Sequence, residues 1–152
     1  TPEDIVNCAM QYSPGTKFAV LAPLKIIKER TLRKQLEMEI QQGYSRIWHK
    51  GESMRIDEFL KNDEAIENTP AGEIYLLIDR MSVSHDKEAI SRLTDSAESA
   101  FYESDGSCRL LFLPSNICYD FSVKFEADGM EFERPKRQHV LIQLSCRSMP
   151  HM

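Results

Sequence analysis

The chain has 152 residues, 41% of them apolar and 28% charged, which suits a single soluble globular domain around one moderate core. Its 24 acidic and 19 basic side chains leave a net charge of -5, and the basic residues come only in short groups such as Lys25 to Arg30 and Lys136-Arg137. Binding to nucleic acid needs concentrated positive charge to neutralise phosphates, so this balance disfavours direct DNA contact. No apolar run approaches the roughly 20 residues of a membrane span. The acidic start, Thr1-Pro2-Glu3-Asp4, is unlike the basic start of a signal peptide, and a cytoplasmic location is expected.

Cys8, Cys108, Cys118 and Cys146 include no close pair of the kind that makes a structural zinc site, so reduced, mostly buried thiols are expected. The missing initiator Met, together with a helix signal at the first residue, suggests a segment of a longer protein.

In chain order, Thr1 to Tyr12 reads as a helix, with Thr1 as cap, Pro2 at the first helical position, and Ile5, Cys8, Ala9 and Tyr12 on one face. Ser13-Pro14-Gly15 ends it. Lys17 to Ala22 is strand-like and closes at Pro23. A helix with a narrow apolar face follows from Glu29 to Gln42; Leu32 and Leu36 share a stripe with Gln35 and Glu39, and Gly43 is placed as its cap.

Tyr44 to Lys50 reads as a strand with Tyr44, Arg46, Trp48 and Lys50 on one side, turning through Gly51 into a short return from Ser53 to Ile56. Asp57 to Leu60 suggests a helical turn, and Asn62 to Gly72 a loop. Glu73 to Val83 has a nearly continuous apolar centre, which predicts an interior strand covered on both faces. The helix from Asp86 to Glu103 turns Ile90, Leu93, Ala97, Ala100 and Phe101 inward. After the turn signal Asp105-Gly106 come strands at Arg109 to Leu113 and Tyr119 to Phe125, then a hairpin at Asp128-Gly129 returning through Met130 to Phe132. The class expected is α+β, a mixed sheet with packed helices in one compact domain.

No phosphate loop, nucleophile elbow, metalloprotease helix or dinucleotide fingerprint is present. His49, His85, His139 and His151 are read as surface or structural groups, and the acids Glu126, Asp128, Glu131 and Glu133 as a solvated hairpin face. The enzymatic alternative is a small metal-dependent nucleotide- or DNA-processing site of dispersed carboxylates near Asp79 and that hairpin. Two arginines suggest binding instead. Arg46 lies between Tyr44 and Trp48, and Arg, Tyr and Trp dominate binding hot spots; routine sheet-edge packing with a salt bridge is the plain alternative. Arg80 ends the even-numbered apolar row Ile74, Leu76, Ile78, where it could also simply reach solvent, while Asp79 on the opposite face would pair with a lysine or act as a cap.

The order of several segments resembles a known family. Pro14-Gly15-Thr16-Lys17, Val20-Leu21-Ala22-Pro23, Gln42-Gly43-Tyr44-Ser45-Arg46-Ile47, Leu60-Lys61-Asn62, Leu77 to Val83, Ser91 to Ala100 and Phe121 to Glu133 follow, in sequence, the pattern of the UvrB-interaction domain of the excinuclease protein UvrA. The resemblance covers 1–135 and leaves 136–152 as a divergent or partly ordered tail. It implies a non-catalytic module of a bacterial nucleotide excision repair ATPase that docks UvrB for loading at damaged DNA. ATP and zinc are then expected in the full-length parent, which dimerises and meets DNA mainly outside this domain. It also implies partner-binding roles for Arg46 and Arg80, flanked by Tyr44 and Trp48. The chain departs from the family in Leu24 to Glu29, where a Gly- and Lys/Arg-rich turn is usual, at Arg46-Ile47-Trp48, where a basic-aliphatic pair is usual, and beyond Pro135, where the zinc ligands are missing.

Overall fold

The computed structural model describes residues 2–25, 29–104, 106–124 and 139–146. Its elements are α1 (Pro2–Met10), β1 (Lys17–Pro23), α2 (Leu32–Gln41), β2 (Arg46–His49), β3 (Glu52–Arg55), α3 (Ile56–Leu60), α4 (Asp63–Asn68), a 3-10 turn (Ala71–Glu73), β4 (Tyr75–Ser82), α5 (Lys87–Glu103), β5 (Ser107–Leu113), β6 (Ile117–Lys124) and β7 (His139–Cys146). The strands form one sheet in the order β3-β2-β4-β1-β5-β6-β7. Every described pair is antiparallel, so the α+β class holds but the sheet is not mixed. No strand-helix-strand crossover among these elements brings a strand back parallel to its neighbour.

One large core joins the helices to one side of the sheet. Ile5 of α1, Leu36 of α2, Ile56 and Phe59 of α3, and Leu93, Ala97 and Ala100 of α5 are buried with Phe18, Val20, Ile47, Leu76, Met81 and Phe112 from the strands. Phe112 is fully buried, stacks on Tyr12 at 4.0 Å between ring centroids and lies 5.1 Å from Phe18. Burying one such side chain stabilises the fold by about 2–3 kcal/mol. The helix starts are capped as their sequences allow. Thr31 Oγ1 accepts from the Lys34 N–H at 3.1 Å, Asn62 Oδ1 from the Ala65 N–H at 3.0 Å, and Asp86 Oδ1 from the Ala89 N–H at 3.3 Å.

Several expectations need correction. The stretch read as a loop from Asn62 to Gly72 contains α4, which is short and led by acids, so it carries little apolar periodicity. β4 is interior, but described helices pack on only one of its faces. Within 136–152, the segment expected to be divergent or partly ordered, the described residues His139–Cys146 form the last strand of the sheet, which is compatible with that expectation. Cys8 and Cys108 are free and buried, and burial pushes the Cys8 thiol up to about 11. Cys118, by contrast, is disulfide-bonded. The hairpin expected at Asp128-Gly129, with the acids around it, lies outside the described residues.

Candidate docking face

Strand side chains alternate between two faces, and register partners share a face. Along β1, Phe18, Val20 and Ala22 join the helix-covered core, while Ala19 and Leu21 belong to a second apolar cluster with Leu77, Leu111 and Cys118. Trp48, Tyr75 and Leu113 pack against this second cluster, which draws no described residue from a helix. Among the described residues, the second apolar cluster is therefore built of strand side chains alone.

Arg46 lies on this face. It shares parity with Trp48, which pairs with Tyr75 on one side and Ser53 on the other. Its Nη1 donates to Ser53 Oγ at 2.9 Å, and the residue is half-buried. Arg80 lies on the same face, because it pairs with Ala19 of β1, and it is exposed. Neither guanidinium has a carboxylate within ion-pair distance among the described residues. Beside Arg80 a cleft opens, lined also by Lys17, Ser82, Arg92 and Leu113; Lys17 adds a second cation there, while Arg92 is paired with Asp79.

Tyr44 does not join them. β2 begins only at Arg46, and Tyr44 packs on the helix-covered core. There, burial and then the charges of Glu103 and Glu39 push its hydroxyl above the ordinary range. Lys50 leaves the strand face too. Lys50 and Gly51 have φ of 52° and 80°, so they form the two central positions of the β2–β3 hairpin turn, where positive φ at both matches the twist of the strands.

The expected position of Arg80 also changes, for a different reason. It does not continue the row of Ile74 and Leu76. Val20 pairs with Asp79 and Leu21 with Leu77, which leaves Ile78 as an extra residue in β4 and reverses the alternation beyond it. Asp79 thus faces α5, where its partners are Arg92 and Ser96 rather than a lysine.

Sequence reading missed other members of the face. Arg109 and Asp120 are register partners joined by two hydrogen bonds of 2.6 and 2.9 Å, and the Arg109 guanidinium sits 4.4 Å from the centroid of the Tyr75 ring. The signal was the turn at Pro114 to Asn116, with Asn116 at φ 63°, which makes β5 and β6 a hairpin. Arg55, opposite Arg46, is held by Asp57 at 2.9 Å. Such a face can offer planar, five-donor forks to a carboxylate surface, supported by an aromatic and aliphatic floor. Among the described residues, no group of three or more His, Cys, Asp or Glu is arranged to hold a metal ion. No described helix is long and apolar enough to cross a membrane.

Comparison with known proteins places these features in a family. The family model described as the UvrA interaction domain matches residues 1–113. The chain is 33% identical over 107 residues, 70% of its length, to UvrABC system protein A of Listeria monocytogenes serotype 4b. It is 35% identical over 107 residues, again 70% of its length, to the protein of the same name from Halalkalibacterium halodurans, and 30% identical over 120 residues, 77% of its length, to that of Mycobacterium tuberculosis. The match spans only 10% to 11% of the length of these relatives. With more than half of its residues matched by the family model, the chain belongs to the UvrA interaction domain family.

Proposed function

We propose that this domain holds UvrB on behalf of a UvrA-type nucleotide excision repair protein and catalyses no reaction itself. Family membership supports the repair context. The observation that carries the docking role is the placement of Arg46 and Arg80 on one face of the sheet, neither of them engaged by a carboxylate among the described residues. Charge-assisted, bidentate hydrogen bonds to acidic groups of UvrB would fix orientation, and complementary fields would speed encounter. This suits a complex that forms for loading and later releases. In this reading Trp48 contributes rigid floor, Tyr44 contributes only through packing, and the domain works in the cytoplasm. ATP binding, zinc, dimerisation and the main DNA contacts belong to the rest of the parent UvrA.

The test is calorimetric titration of this chain with UvrB from the same organism. Arg46→Ala and Arg80→Ala are each expected to cost about 1–4 kcal/mol of binding with little change in thermal stability. Unchanged affinity in both variants would remove the reading.

A further inference from the structure

A strict two-residue alternation along β4 would put Arg80 on the side of Leu76, beneath α5 in the apolar core. The extra residue Ile78 prevents this, since beyond it Asp79 takes the covered side and Arg80 the second face. A bulge in an interior strand interrupts the hydrogen-bonded ladder and leaves one residue unpaired, so something else has to hold it in place.

The contacts around Asp79 meet that need. Its Oδ2 accepts from Arg92 Nε at 2.9 Å and from Ser96 Oγ at 2.8 Å. Its Oδ1 accepts from Arg92 Nη2 at 2.6 Å and from the backbone N–H of Arg80 at 2.8 Å. Arg92 Nη2 also reaches the Arg80 carbonyl at 3.4 Å. One carboxylate therefore ties α5 to the backbone of Arg80, two residues beyond Ile78, and a guanidinium from the same helix reaches the other backbone polar group of Arg80. The arrangement is two-sided, because any return of Arg80 to the covered side would break the Asp79 contacts.

We propose that Asp79 is a positioning residue for partner docking: anchored by Arg92 and Ser96 of α5, it fixes the bulge that delivers the Arg80 guanidinium to the docking face. This rests on the reading that Arg80 grips UvrB. Ser96 is a clean probe, since it is 9% exposed on the sheet-facing side of α5 and lies on the covered side of the sheet, away from the docking face. Its effect on binding therefore has to pass through Asp79.

The test is a set of double-mutant cycles with UvrB as titrant, read by calorimetry. Asp79→Asn is expected to weaken binding about tenfold or more, and Ser96→Ala about threefold. In the Arg80→Ala background both effects should shrink to less than about twofold, because the group they position is gone. A general loss of stability would instead multiply with Arg80→Ala. Such multiplication overturns the proposal, as does wild-type affinity in Asp79→Asn while Arg80→Ala is weak, and the docking reading survives either result. Wild-type affinity in Arg80→Ala removes Arg80 as a docking group and this inference with it. If Asp79→Asn does not fold, the Ser96→Ala cycle decides by the same criterion.

Discussion

Gln35 donates to Glu39 Oε2 at 2.7 Å within α2, while Oε1 of the same buried carboxylate has no hydrogen-bond partner among the described residues. Arg30 extends the chain by donating to Gln35 Oε1 at 2.8 Å, and its charge, with that of Lys25, opposes the rise of the Glu39 pKa only weakly. Burial raises the Glu39 pKa; the Gln35 hydrogen bond opposes the rise and the charge of Glu103 adds to it. The folded protein thus binds the proton more tightly than the unfolded chain does. Stability is full below the ordinary glutamate value of 4.5 and falls as pH rises through the higher folded value. Glu39→Gln is expected to raise stability by about 1 kcal/mol at neutral pH. In urea unfolding the gain should vanish near pH 4; a gain of the same size at both pH values would discard the ionisation account.

Asp79 predicts the opposite slope. Burial raises its pKa, but the hydrogen bonds from Arg92, Ser96 and the Arg80 backbone outweigh burial and hold the carboxyl below its ordinary value of 3.8. Its contribution is present above that value and is lost as pH falls through the lower folded pKa. Asp79→Asn should therefore be least stable relative to wild type at neutral pH, with the difference narrowing in acid. Chemical unfolding across pH 3 to 7 measures this, and a constant difference would contradict it.

The aromatic group at the sheet's covered side should carry much of the fold's stability. Phe112→Ala leaves a void between Tyr12, Phe18 and Tyr119 and is expected to cost about 3–5 kcal/mol. Tyr119→Phe removes only the 2.7 Å hydrogen bond between the Tyr12 and Tyr119 hydroxyls, and about 1 kcal/mol is expected. Denaturant midpoints should rank the two in that order; equal effects would show that the cluster is not packed as described.

The β2–β3 turn offers a stabilising change. Lys50 holds φ of 52° ahead of Gly51, and Asn-Gly is the preferred pair for such a turn. Lys50→Asn should add about 0.5 kcal/mol, since asparagine tolerates this region better than lysine. Gly51→Ala should destabilise by about 1 kcal/mol, because φ of 80° disfavours a Cβ although nothing crowds the position. Thermal melts of the two variants moving in the same direction would refute the turn assignment.

The elements legible in the sequence are those whose burial follows one simple period. α5 emerges from Leu93, Ala97 and Ala100 because that row meets a single core, and β1 from a continuous apolar run, Phe18 to Ala22, that is buried on both faces. Arg46 and Trp48 fall together on one face as their spacing predicts, since β2 is regular between its ends. Period counting fails where the backbone breaks its own rhythm. Ile78 inserts one residue and reverses Arg80, and no composition signal marks it. Tyr44 fails for a related reason, as the chain is not yet extended into the ladder there. The Arg109–Asp120 pair needs the register across the β5–β6 hairpin, which the turn at Pro114 to Asn116 marks but does not fix without the folded sheet.

The two arginines stand on supports of unequal stiffness. β4 pairs with β1 from Lys17 opposite Ser82 to Pro23 opposite Tyr75, broken only at Ile78, whereas the β2–β3 hairpin meets β4 through just Ile47 opposite Leu76 and Trp48 opposite Tyr75. An incoming surface would find an anvil at Arg80 and a spring at Arg46: the first sets the angle of approach, and the second yields to small differences in the partner's contour.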